Sequence, residues 1–207
     1  MHESRGLGDV YKRQERYTAA EKTAARLDIP LDMLDSTEPW LAAITVELMI
    51  LYRSGFDPGL GIEMTMTERA TSDGKPIEGL ESVDEQLSFL DGLSLDAQAE
   101  MLIQVLEQGA ELRDSIDAMI DAWRHGDMAV LEHELLEPME EQTELGDVLI
   151  WSRNRRWADT IVTWLDDDRD YLVIVGALHL VGDGGVPALL EARGVDIRQL
   201  RESPQLR

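Results

Sequence analysis

The sequence contains no cysteine among its 207 residues. Disulfides, thiolate-held zinc and a thiol nucleophile are therefore excluded, and the redox compartment is left open. Basic residues are also scarce: 19 Lys and Arg stand against 42 Asp and Glu, a formal net charge of −23. So acidic a surface repels phosphate backbones and anionic headgroups, which argues against nucleic acid or a charged membrane surface as partner. No apolar run reaches the roughly 18 residues that a transmembrane helix needs, so no membrane span is expected. No signal peptide, internal repeat or low-complexity tract is visible either. What is present suits a globular chain, 43% hydrophobic and 29% charged. The length predicts one domain with room for a helical insertion.

The most informative stretch is residues 171–185, YLVIVGALHLVGDGG. Its first five residues are apolar and mostly β-branched, which predicts a strand buried on both faces, as in a parallel sheet. Gly176 follows, and His179 comes three residues later. That order predicts an imidazole near the carboxyl end of a strand, where open α/β sheets bind ligands. Two readings stand at this point. His179 is a base or metal ligand, or it is a turn residue that caps the next helix.

Residues 1–14 join no periodic pattern, and GLGDVYKRQ within them resembles a translated sequencing-adapter read. They are expected to be a leader, with the natural start lost. An amphipathic helix is expected over 15–27, and Ile29-Pro30 ends it. Pro39 sits in the first turn of the next helix, 40–53, which is apolar on most sides and stops at Gly55. A very short strand is predicted at 61–63, a helix at 64–70 and a strand at 75–80. Ser82 and Glu85 then form a capping-box pattern, which sets Glu81 at a strand-to-helix junction. Glu81 is a site residue there, or an ordinary first-turn carboxylate facing the helix dipole.

Periodicity predicts one long helix over 95–123 and a shorter one over 127–136, read as a helical insertion at about 95–140. Another long helix is expected over 141–166. Arg153 falls on its apolar stripe, while Arg155, Arg156 and Asp159 fall on the other face. A buried guanidinium needs a partner; the alternative is an arginine laying its stem along the core. A final strand is predicted at 195–200, and 201–207 is a tail. The five tryptophans lie on three helices and read as core. His125 and His133 read as surface helix residues, since neither sits at a strand end.

Three pieces resemble one known family. They are GIEMTMTERATSDGKPIEGLESVDEQL at 61–87, RNRRWADTI at 153–161 and VGALHLVGDGGVPALLEARGVDIRQL at 175–200. In this order, and with the Pro-Trp helix near Trp40, they are similar to the TraB/PrgY/GumN family, which includes the TIKI metalloproteases, and most of all to its GumN branch. The resemblance implies an α/β (α+β) fold with a small mixed or parallel sheet of about four strands under helical layers. It implies a single domain over 15–200 and divalent-metal-dependent peptidase activity, with Mn, Co or Zn as the ion. It also implies a pair of Gly-x-x-His motifs, an essential Glu and an essential Arg. By motif, Gly176 and His179 match the second Gly-x-x-His, Glu81 the acidic residue with Glu63 in reserve, and Arg153 the arginine. The first Gly-x-x-His has no counterpart: His2 lacks a glycine three residues before it.

In that reading His179 and Glu81 are metal ligands, and a third comes from the absent motif. Glu63 is a ligand, a base or a solvated turn carboxylate. Arg153 steadies charge on a tetrahedral intermediate or fixes a carboxylate. The substrate is a peptide or protein, and the relatives imply a place in the cell envelope or periplasm. The chain as written is expected to bind metal poorly and to be inactive. Two other functions fit the same residues: a haem- or metal-binding module of the ChaN-like type, and a non-catalytic acidic interaction protein.

Overall fold

A computed structural model describes residues 7–34, 36–109, 112–140 and 143–200. His2, most of the expected leader's first half (1–6) and the tail at 201–207 lie outside them. Residues 7–14 are helical, so the second half of the leader does join a regular element. The chain divides into two compact units, Met1–Asp57 with Ser94–Ser115, and Pro58–Leu93 with Ile116–Arg207. The stretch expected as an insertion, 95–140, contributes to both.

The first unit is built on α1 (Leu7–Arg26), a 3-10 turn at Leu31–Leu34 and α2 (Pro39–Arg53). Pro39 opens α2, where its missing N–H costs nothing. Gly55, with φ of 91°, turns the chain away just beyond it. Asp28 is the one described non-glycine at positive φ, 56°. Arg53 clamps that turn by donating to the carbonyls of Leu27 and Asp28.

The second unit contains a 3-10 turn at Pro58–Leu60, α3 (Ile62–Ser72) and α4 (Val83–Asp91). The capping box is formed as expected: Glu85 N–H donates to Ser82 Oγ at 3.2 Å, and Ser82 N–H donates to Glu85 at 2.7 Å. Next in sequence comes α5 (Leu95–Gly109), which belongs to the first unit and packs on both α1 and α2. Its Ile103 and Leu106 close a core with Ala20, Ala24, Ile29, Val46 and Ile50. Each fully buried aliphatic there contributes about 1.5–3 kcal/mol.

The periodic pattern over 95–123 is helical on both sides of residues 110–111, which lie outside the described residues: α5 on one side and α6 (Leu112–His125) on the other. Trp123, placed on the core stripe by periodicity, is 51% exposed. The second unit continues with α7 (Met128–Leu135), capped by Asp127 to Val130 N–H at 3.3 Å, then α8 (Glu137–Glu140) and α9 (Thr143–Gly146). The helix expected over 141–166 is interrupted by a π turn at Asp147–Trp151 before α10 (Ser152–Trp164). The Trp151 ring lies where a Cβ on Gly146 would be, so only glycine fits at that junction. A 3-10 turn at Ala177–His179 and α11 (Val186–Glu191) complete the element order.

The expected α/β fold with a sheet of about four strands is corrected: among the described residues no strand forms. Residues 61–63 enter a helix instead. Residues 75–80, 171–175 and 195–200 run as irregular chain. Their local pattern is still strand-like. The expected burial of 171–175 on both faces is not seen: Val173 and Val175 are half-buried and Leu172 and Ile174 exposed, and Val195 and Ile197 repeat the alternation. Leu80, Val175, Val195 and Ile197 pack on the Trp157, Ala158, Val186 and Leu190 core of α10 and α11. What is missing is the ladder. Apart from Lys75 and Val195, whose N–H groups cap the ends of α3 and α11, no backbone hydrogen bond joins these segments to another element among the described residues. A strand exists only as half of a pair, so an apolar β-branched run is necessary for one but not sufficient.

Candidate functional site

The Gly-x-x-His spacing has a local cause. Ala177–His179 is a single 3-10 turn, closed by His179 N–H donating to Gly176 C=O at 2.9 Å. An i to i+3 bond sets two residues between the acceptor and donor positions, hence the motif's length. Gly176 itself has φ of −59° and ψ of 146°, a conformation open to any residue. The turn is thus not at a strand end, as the sequence predicts, but at the end of an irregular segment packed on α10.

The imidazole of His179 is half-buried against Trp157, ring centroids 4.5 Å apart. Its Nδ1 lies 2.7 Å from Asn154 Oδ1. Asn154 is fully buried and donates its Nδ2 to the Gly184 carbonyl at 2.8 Å. Gly184 is held in place by Trp151, whose ring would meet a Cβ on Gly184 at 2.8 Å. Burial pushes the His179 pKa down to about 4, the Arg153 cation adds to the effect, and Glu81 opposes it. The ring is therefore neutral at pH 7.

Glu81 and Arg153 form a buried ion pair, their side chains 6% and 12% exposed. Arg153 Nε donates to one carboxylate oxygen at 3.1 Å and its Nη2 donates to the other. Gln86 Nε2 donates to Glu81 at 3.1 Å, and Arg156 lies 3.6 Å away. Arg156 thus faces Glu81, against the expectation of the other face, because three residues from Arg153 is the same side of a helix. The Arg153 guanidinium also lies over the Trp157 ring at 4.8 Å and donates through Nη1 to Leu149 C=O at 2.8 Å. Phe89 of α4 faces both arginines, at 5.9 and 4.9 Å. Arg153 and His179 therefore both lie against Trp157, with Glu81 reaching the cluster through Arg153, in one unit.

Glu63 does not join them; it is an exposed carboxylate in the first turn of α3. His125 pairs with Asp121 within α6, and His133 of α7 pairs with Glu137 at the start of α8. Sequence reasoning missed Asn154 and Arg156. For Asn154 a signal existed: a polar residue beside Arg153 in a helix whose stripe is otherwise apolar.

A divalent metal needs about three protein donors. Both Glu81 oxygens are taken by Arg153, and His179 Nδ1 by Asn154. His179 Nε2 remains, and among the described residues no group of three His, Asp or Glu is arranged to hold a metal. The described residues do not make the expected metal set. Nor is any described helix long and apolar enough to cross a membrane.

Comparison with known proteins adds the following. The family model described as the TraB/PrgY/gumN family matches residues 10–199. The chain is 27% identical over 169 residues to "Uncharacterized protein YbaP" of Escherichia coli (strain K12), covering 76% of this chain and 58% of that protein. The Shigella flexneri protein of the same name matches to the same extent. The chain thus spans 58% of the length of these curated relatives. No solved structure matches.

Proposed function

Because this chain belongs to the TraB/PrgY/gumN family, we propose that it carries part of the site of a hydrolase acting on peptide amide bonds. The observation that supports this is the meeting of His179 and the Arg153–Glu81 pair on Trp157. The GumN-like branch, metal dependence and a place in the cell envelope belong to the same proposal. Donors beyond His179 for a divalent ion are not among the described residues, so the roles below run through protein groups alone.

A pKa near 4 makes His179 a weak base at neutral pH. Its neutral Nε2 suits a different task, accepting a hydrogen bond or an electrophile while staying uncharged. Glu81 acts through Arg153, fixing its guanidinium by two parallel bonds. Arg153 has five N–H donors, of which three are used, on Glu81 twice and on Leu149. Two remain for charge that develops on a carbonyl oxygen. Arg156, 48% exposed, adds a second cation for the same purpose.

The test is hydrolysis of a peptide library with Mn²⁺, Co²⁺ or Zn²⁺. It compares the 207-residue chain with one carrying the family's first Gly-x-x-His segment N-terminal to it. Turnover by the longer chain that disappears in His179→Ala supports the reading. Turnover that survives His179→Ala removes His179 from it, and turnover by neither chain overturns the hydrolase assignment.

A further inference from the structure

We propose that Asn154 is a positioning residue that locks His179 in the tautomer with its proton on Nδ1, so that the Nε2 lone pair always faces outward for an electrophile. This rests on the site named under the proposed function, but the bonding logic stands without the reaction.

The proton positions follow from partner chemistry alone. The Gly184 carbonyl can only accept, so the Asn154 atom that meets it at 2.8 Å must be the amide nitrogen. The other end of the amide is then its oxygen, which can only accept. That oxygen lies 2.7 Å from His179 Nδ1, so Nδ1 must carry hydrogen. In a neutral imidazole the second nitrogen then has the lone pair. Reversing the amide would set a donor against His179 and an acceptor against an acceptor at Gly184, which a fully buried residue cannot relieve with water.

The anchor of this relay is rigid. Gly182 turns the loop with φ of 71°, and a Cβ on Gly185 would meet Val181 C=O at 2.6 Å. Trp151 closes over Gly184 from the π turn. Glycines 182, 184 and 185 and the π turn thus aim one carbonyl at Asn154, and Asn154 aims one proton position at His179. Nε2 of His179 has no hydrogen-bond partner among the described residues. The relay leaves its lone pair free to accept.

Long-range ¹⁵N–¹H NMR of the histidine rings in the full chain at pH 7 reads the tautomer directly, with His179→Gln assigning the signal. The expected result is a protonated Nδ1 and a pyridine-like Nε2. In Asn154→Ala the signal should move toward the mixed tautomers of a free imidazole. A wild-type spectrum with the proton on Nε2 overturns the proposal even if Asn154→Ala does not fold. So does an unchanged pattern in a folded Asn154→Ala. Neither readout depends on hydrolysis, so failure of the hydrolase reading is seen separately.

Discussion

The two units solve the burial problem differently. The first unit's core is aliphatic, with Ile103, Leu106 and Val46 at its centre. It has two buried polar side chains among the described residues: Thr23, whose hydroxyl is satisfied inside its own helix by Ala19 C=O at 3.2 Å, and Gln98 on α5. The second unit carries apolar clusters of similar type but threads polar groups through one of them: Glu81 with Arg153, and Asn154 with His179. Shape and volume hold the first core, which tolerates substitution by anything apolar of the right size. The second depends on specific partners, because a buried polar group is cheap only when paired. Such a core stabilises less per residue, and a site for chemistry is the usual reason to keep one.

The largest expected effect tests that contrast. Glu81→Ala leaves the Arg153 charge buried alone and should destabilise by about 3–5 kcal/mol. Leu106→Ala in the first unit should cost a comparable amount, about 2–5 kcal/mol. The difference lies in recovery. Glu81→Met combined with Arg153→Met should regain most of the loss, since the orphaned charge is gone, whereas Leu106→Ala can be regained only by refilling volume. Urea denaturation of the single and double variants measures this, and fully additive losses at Glu81 and Arg153 would contradict the pairing.

A second test uses pH. His179 is held near 4 in the folded chain against about 6.5 when exposed. Between those values the unfolded chain binds a proton that the folded chain refuses. Stability should therefore be complete above pH 6.5 and decline as pH falls from 6.5 toward 4. His179→Gln should remove that part of the slope, while the first unit has no described histidine to produce one. Equal slopes in the urea midpoints of the two proteins between pH 7 and pH 5 would show His179 titrating normally.

The smallest effect is expected at Gly176. A Cβ there meets only His179 Cδ2, at an ordinary 3.8 Å, and the backbone is not in the left-handed region. Gly176→Ala should change stability by less than about 0.5 kcal/mol. If the melting temperature is unchanged yet the His179 ring signals shift, the glycine serves clearance beside the imidazole rather than the turn.

Short-range features were legible in the sequence. The Ser82–Glu85 box, Pro39 at the start of α2 and Asp127 at the start of α7 each act within a few residues. Arg153 was identified as a buried cation in need of a partner, and Glu81 as a residue at a helix start. That the two are partners was not readable, because 72 positions separate them. Nor was the approach of Asn154 to His179 across 25 positions. Arg156 lies on the Glu81 side because it is three residues from Arg153, a spacing that shares a helix face and that the expectation of the other face overlooked.

The amino-acid order by itself determined the helix starts at Pro39, Ser82 and Asp127 and the 3-10 turn of Gly176–His179, since each depends on neighbours a few bonds away. Only the tertiary structure decided that the runs at 75–80, 171–175 and 195–200 go unpaired, and that one tryptophan gathers an arginine and an imidazole. A ladder, an ion pair and a ring contact each need two partners, and the distance between partners along the chain is not written in either one.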